Sequence, residues 1–169
     1  MKLAEAQPGK QGEVEDFKVE FTPEDMNVTI KEVIKETKKA VDITDAKVLV
    51  SGGRGIGSAD YYKELQKVAD LLGGEISSSR ANVDAGWIAK DRQVGQTGKT
   101  VRPDLYLACG ISGAIQHIAG MENSECVISI NKNDTAAIFD VSDLGIVGDV
   151  KVIIPKLIDA LTKYKAAQN

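Results

Sequence analysis

The residues best equipped for chemistry fall in two glycine-rich stretches, Gln93-Val94-Gly95-Gln96-Thr97-Gly98-Lys99-Thr100 and Gly110-Ile111-Ser112-Gly113-Ala114-Ile115-Gln116-His117. The first offers small residues, hydroxyls and open backbone amides, which suit a polar, phosphate-bearing ligand. Gln96 and Thr97 add side-chain groups that suit the edge of a heteroaromatic ring. The second stretch opens a predicted helix, whose N-terminus collects negative charge. It also carries the only histidine of the chain, His117. A lone histidine is more often structural than functional. No Ser/Asp partners mark it as a hydrolase base, and no second histidine makes a metal site. Its place beside a ligand-facing helix start is what singles it out.

Other motifs meet plainer alternatives. Gly52-Gly53-Arg54-Gly55-Ile56-Gly57 follows an apolar run, as a dinucleotide fingerprint does. Its glycines are spaced G-x-G-x-G where G-x-G-x-x-G is expected, which disfavours an ordinary nicotinamide site. Arg54 in that bare glycine loop is still well placed for a phosphate. The segment from Gly95 to Thr100 imitates a Walker A loop, but has two residues between its glycines where four are needed. Arg80, after Ser77, Ser78 and Ser79, either pairs with Asp84 or presents a cation at a strand's carboxyl end. Asn131 and Asp149 are either turn and cap residues or readers of an adenosine's ribose and base.

These residues need a scaffold, and from residue 45 the pattern supplies one. Val48-Leu49-Val50 reads as a buried parallel strand ending at Ser51-Gly52-Gly53. A helix is predicted from Ser58 to Leu72, with Tyr62, Leu65, Val68, Ala69 and Leu72 on one face and Gly73-Gly74 at its end. Strands follow at Glu75–Ser78, Asp104–Cys109, Glu125–Ile130 and Leu144–Val147. Residues 81–100 read mostly as loop, anchored by Trp87 and Ile88. Helices are predicted over Ser112–Met121 and from an Asp149 N-cap onward, the latter kinked or restarted by Pro155 and burying Ile153, Ile154, Leu157, Ile158 and Leu161. The expected fold is α/β: a doubly wound parallel sheet of about five strands with helices on both faces. Ligands in such sheets bind beyond the carboxyl ends of the strands. Those ends carry Arg54, Ser79-Arg80, Ser112, Asn131 and Asp149, all small, polar or charged.

The N-terminal quarter reads differently. Phe17, Val19 and Phe21 alternate with charged residues as in a half-buried strand, a turn is expected at Thr22-Pro23-Glu24-Asp25, and Met26, Val28 and Ile30 alternate again. Residues 1–42 are therefore expected to form a tail, a β-ribbon and a connector, and residues 43–169 the ligand-binding domain.

A net charge of -4 and an aromatic content of 5% argue against a nucleic-acid surface, since neither a basic stripe nor stacking platforms are present. No apolar run approaches the ~20 residues of a membrane span. Residues 1–10 have neither a signal-peptide core nor a transit pattern, so a cytoplasmic location is expected. Cys109 and Cys126, both placed in predicted strands, read as reduced structural thiols, and no Cys/His cluster has metal-ligand spacing.

Arg80-Ala81-Asn82-Val83-Asp84-Ala85-Gly86, Gln93 to Lys99, Gly110 to His117 and Ile130-Asn131-Lys132 together closely resemble the FAD-binding domain of the electron-transfer flavoprotein alpha subunit. The resemblance runs from about residue 46 to the C-terminus and rests on long, ordered motifs. It implies FAD as cofactor, a beta subunit as partner, and an electron-carrying role between acyl-CoA-type or other flavin dehydrogenases and an acceptor. It places Arg54, Ser79 and Arg80 around the cofactor. Val94, Gly95, Gln96 and Thr97 would meet the isoalloxazine, with the Thr97 hydroxyl near the redox nitrogen. Ser112, Gly113, Ala114, Ile115, Gln116 and His117 would contact the ribityl chain, pyrophosphate and flavin pyrimidine edge. Asn131 and Asp149, with the Val150 amide, would hold the adenosine end. The resemblance also implies a further N-terminal α/β domain in the family's alpha subunits, and the ribbon at residues 13–30 is expected to be its tail. The competing reading is an adenine-nucleotide module, for ADP or NAD, without a redox role; another is an interaction domain that has lost its ligand.

Overall fold

The computed structural model describes Gly9, residues 15–22 and residues 42–168. The chain divides into two compact units, Met1–Lys38 and Lys39–Asn169. In the first, residues 15–22 form no strand, and Phe17, Val19 and Phe21 are exposed. The alternation there is a strand pattern, but a strand needs a hydrogen-bonding neighbour that a local pattern cannot supply. The turn and second alternating run at residues 23–30, and the connector at 31–41, lie outside the described residues.

The second unit is a five-stranded, all-parallel sheet. Its strands are β1 (Val48–Gly52), β2 (Glu75–Ser78), β3 (Leu105–Cys109), β4 (Val127–Asn131) and β5 (Leu144–Val147), in the order β2-β1-β3-β4-β5. The chain winds one way from β1 to β2 and the other way from β3 to β5. The direction reverses between β1 and β3, which pair in register from Val48↔Leu105 to Gly52↔Cys109. A crevice opens at such a reversal because the connections leave to opposite sides.

Successive strand residues alternate between two cores. Val50, Leu107, Cys109 and Ile130 join one, with α1 (Tyr62–Leu72) and α4 (Val150–Gln168) packed over them. Leu49, Tyr106, Ala108 and Val127 face the other way, with Ile43, Val94, Val101, Ile111, Met121 and Ile138. The first face is covered by long helices because Leu65, Val68 and Ala69 of α1 and Ile154 of α4 recur at helical spacing. The second is covered largely by connecting segments, with only a short α3 (Ile115–Ile118).

Four expectations change. The helix expected over Ser112–Met121 shrinks to α3, four residues long. The backbone at Gly120 turns to meet Gly95 and to accept a hydrogen bond from the Val101 amide at 2.8 Å, which stops the helix. Residues 81–100 are not all loop, since α2 (Arg80–Asp84) occupies their start, with a single 3-10 turn at Lys90–Arg92. Cys126 precedes β4 and does not sit in a strand. The last helix runs unbroken through Pro155, with Asp149 accepting from the Lys151 amide at its start.

At the reversal, the loops after β1 and β3 touch backbone to backbone. The Gly53 amide donates to the Cys109 carbonyl at 2.9 Å and the Gly55 amide to the Gly110 carbonyl at 3.0 Å. A Cβ on Gly110 would lie 2.7 Å from the Gly55 Cα, and Gly110 adopts φ +65. Overlap and left-handed strain therefore add. Gly110→Ala is expected to destabilise the domain by roughly 2–4 kcal/mol. Urea unfolding measures this, and a loss within 0.5 kcal/mol would contradict the close contact.

Candidate functional site

A cleft of about 950 Å³ opens beyond the carboxyl ends of the strands at the reversal. That is near the top of the ~300–1,000 Å³ usual for small-molecule sites. A smaller cavity of about 260 Å³ shares Arg54, Gly55, Gly110, Asn131 and Lys132 with it and extends to Asp149, Val150 and Lys151.

The glycine stretch from Gln93 is stitched to two neighbours. Val94 donates to the Ser78 carbonyl at 2.9 Å, and Gln96 donates to the Gln116 carbonyl at 2.7 Å. Within it, Gly98 donates to Gly95 and Lys99 donates to Gln93. From outside, Lys99 reaches Asp42 Oδ1 at 2.7 Å, which holds the Asp42 carboxyl well below the usual carboxylate range, helped by Thr44. Gln93 Nε2 donates to Thr97 Oγ1 at 3.1 Å. This contact occupies a lone pair and leaves the Thr97 hydroxyl proton free to serve a ligand.

Arg80 and Asp84 pair at 3.2 Å through Nε, as the plainer reading expected, and both are exposed. Arg80 also lines the cleft, so an exposed ion pair of little energy is all that would have to yield to an anion. The start of α2 is held from beneath. Asn82 donates to the Gly52 carbonyl at 3.1 Å and to Tyr62 Oη at 2.9 Å, and Ser78 Oγ also donates to the Gly52 carbonyl.

Two polar residues of the cleft wall are buried, Gln93 at 4% exposure and His117 at 7%. His117 Nε2 lies 3.0 Å from Tyr106 Oη, and that hydroxyl donates to Ser51 Oγ at 2.8 Å. Nδ1 is buried without a hydrogen-bond partner. Burial pushes its pKa down to about 4, opposed in part by the Val94 backbone, so the ring is neutral at pH 7. An orphaned buried nitrogen in the wall of a polar cleft is what a site awaiting a charged or hydrogen-bonding ligand would show.

Of the residues named from sequence, Arg54, Ser79, Arg80, Val94, Gly95, Gln96, Thr97, Ser112, Ala114, Gln116, His117 and Asn131 line the main cleft. Asp149 and Val150 line the smaller cavity. Gly113 and Ile115 line neither. Gly113 adopts φ +87, and a Cβ there would overlap the Ile138 backbone, so its part is to let Ser112 accept from the Ile138 amide. Ile115 is 75% exposed. Asn131 spends its amide on the Ile111 carbonyl and its oxygen on the Asn133 amide, which bends the loop after β4 over the cleft. The four-residue α3 is too short for the helix-terminus field expected at Ser112, so positive charge in the walls comes from Arg54, Arg80 and Lys132 instead.

The sequence reading missed Gln93, Lys132, Asn133 and Thr135 among the lining residues. For Gln93 a signal existed: a polar residue directly before Val94, within the quoted motif. Asn133 and Thr135 reach the cleft only through the turn that Asn131 and Asn133 build by side-chain-to-backbone bonds. Among the described residues no group of three metal-ligating side chains occurs, and no helix is long and apolar enough to cross a membrane.

Residues 42–122 match the family model described as the electron transfer flavoprotein FAD-binding domain. An electron transfer flavoprotein subunit alpha of Thermoanaerobacterium thermosaccharolyticum is 51% identical over 165 residues, covering 98% of this chain and 50% of that protein. One of Bacillus subtilis is 45% identical over 157 residues, covering 93% and 48%. The acryloyl-CoA reductase electron transfer subunit beta of Anaerotignum propionicum is 50% identical over 153 residues, covering 88% and 41%. The chain spans about half the length of the curated relatives it matches.

The buried, neutral histidine makes stability depend on pH. Between its unfolded value of 6.5 and its folded value of about 4, the unfolded chain binds the proton that the native ring refuses. Stability contributed by neutral His117 is thus full above pH 6.5 and lost as the pH falls toward 4. The loss is on the order of 3 kcal/mol. His117→Gln should lose less stability than the parent over that interval in chemical denaturation at stepped pH. Parallel pH curves would show that the ring is not buried neutral.

Proposed function

Because the chain belongs to the electron-transfer flavoprotein alpha-subunit family, we propose that its cleft holds FAD and that the domain carries electrons without transforming a substrate. Bound there, the isoalloxazine ring would supply reversible uptake and release of electrons. The observation that carries this reading is the wall around His117. A buried, neutral imidazole, the Thr97 hydroxyl and the Arg80 guanidinium line one cleft at the reversal of the sheet.

Each residue has a part that its chemistry suits. Thr97, with its oxygen engaged by Gln93, offers a hydroxyl proton to a ring nitrogen. Arg80 and Arg54 supply positive charge that favours a ligand gaining electrons and binds its phosphates. His117 is neutral when the cleft holds no net negative charge. Negative charge placed beside it raises its affinity for a proton, and the resulting imidazolium stabilises that charge. Ser112, Gly113, Ala114, Ile115 and Gln116 form the backbone shelf for the ribityl and pyrophosphate, with Ile115 and Gly113 acting through backbone placement. Asn131, Asp149 and Val150 hold the adenosine end in the smaller cavity. The partner is a beta subunit, the donors are acyl-CoA-type or other flavin dehydrogenases, and the setting is cytoplasmic. A relative named for acryloyl-CoA reductase supports an acyl-CoA-type enzyme as the partner in electron exchange.

The purified chain should be yellow, or turn yellow with FAD, and should bleach with dithionite. A colourless protein stabilised by ADP but not by FAD would instead favour an adenine-nucleotide module. Spectroelectrochemistry of the FAD-loaded protein tests the residues. His117→Ala should lower the first-electron potential by on the order of 60 mV, the equivalent of a tenfold loss of stabilisation. Arg80→Ala should lower it as well. A first-electron potential unchanged in His117→Ala would remove the histidine from the role assigned to it.

A further inference from the structure

His117 has two ring nitrogens, and neutral imidazole carries a proton on only one. What selects that nitrogen lies behind the ring, away from the residues assigned to the cofactor. Tyr106 is fully buried in β3, and its ring sits 6.1 Å from that of His117 at a 59° tilt. A phenol has one proton, and Ser51 Oγ of the neighbouring strand, 2.8 Å away, is placed to accept it. With its proton turned to Ser51, the Tyr106 oxygen faces His117 Nε2, at 3.0 Å, as an acceptor. The contact is a hydrogen bond only if Nε2 carries the proton. The Val94 backbone favours a protonated ring but lies outside hydrogen-bonding geometry with Nδ1.

We propose that Tyr106, oriented by Ser51, is the positioning residue that fixes His117 in its Nε2–H tautomer and reserves Nδ1 as the atom for a second proton. The sheet makes the arrangement possible. Ser51 pairs in register with Ser77 on one side and Ala108 on the other, so small side chains leave room for the phenol head beneath the cleft. Ser77 Oγ is buried, makes no hydrogen bond of good geometry, and lies close enough to the Tyr106 phenol to affect its ionisation, which makes it a reserve acceptor when Ser51 is lost. The proposal rests on the reading of His117 as the residue that answers charge in the cleft, yet the tautomer is a property of the protein alone.

The single histidine makes the test unambiguous. Long-range proton–nitrogen correlation spectra of the full chain, labelled with ¹⁵N-histidine and recorded at neutral pH before flavin is added, report which nitrogen is protonated. The parent should show the Nε2–H form alone. Tyr106→Phe should give a mixture of both forms. The double variant Ser51→Ala/Ser77→Ala should convert the ring to Nδ1–H, because the phenol proton, deprived of serine acceptors, turns to Nε2. Val127→Ala, in the same core but without a polar contact, should leave the parent's form unchanged and so separates positioning from loosened packing. An Nδ1–H parent, or a Tyr106→Phe protein that keeps pure Nε2–H, would overturn the proposal. A protein that shows the expected tautomers yet takes up no flavin would leave this inference standing and remove the flavin reading instead.

Discussion

Two backbone loops meet in van der Waals contact beyond β1 and β3, and the cleft depends on that meeting. Gly53, Gly55 and Gly110 leave no side chain between the strands. The amides of Gly53 and Gly55 are thereby satisfied by the opposite loop's carbonyls, and the loops are pinned at the reversal of the sheet. Arg54 is carried outward by one loop and Ser112 by the other. Any Cβ at the junction would push the two apart and open the floor of the site.

Below this junction the sheet departs from the apolar rule for buried parallel strands. Ser77, Ser51, Ala108 and Ser129 stand side by side in register on the face that turns toward the cleft. Their small size admits the Tyr106 hydroxyl and the His117 ring beneath the loops. A buried hydroxyl without a partner is unfavourable, so the row ties itself off where it can: Ser51 to Tyr106, Ser129 to Ser142. The opposite face shows the same economy at one point only. There Tyr62, Ser78 and Asn82 gather on the Gly52 carbonyl and hold the start of α2, and with it Arg80. Both polar clusters lie one layer behind the site: one orients the neutral His117, the other holds the helix start that bears Arg80.

Much of this was legible in the residues. The bounds of β2 and β5 match the predicted Glu75–Ser78 and Leu144–Val147: Gly74 and the Ser79-Arg80 step bracket the first, and Asp143 and Gly148 bracket the apolar run of the second. The residues at the strand ends could be recognised as ligand-facing, since in a parallel sheet the connections force loops to one edge. The helix expected over Ser112–Met121 is longer than the one that exists, because nothing local announces that Gly120 must turn to meet Gly95. The alternation of Phe17, Val19 and Phe21 promised a strand for the same kind of reason: a pattern describes one face of a pairing and not its partner.

Sequence by itself determined the sheet, its winding and the set of polar residues gathered at its carboxyl edge, because period, punctuation and the handedness of connections act over short stretches of chain. Only the tertiary structure decided how those residues are deployed. Gln93 engages Thr97, Asn131 spends its side chain on loop geometry, Ile115 turns outward, and His117 stands neutral against Tyr106. These roles depend on contacts between positions far apart in sequence, and on the exclusion of water from a buried ring. Neither is encoded in the spacing of neighbouring residues.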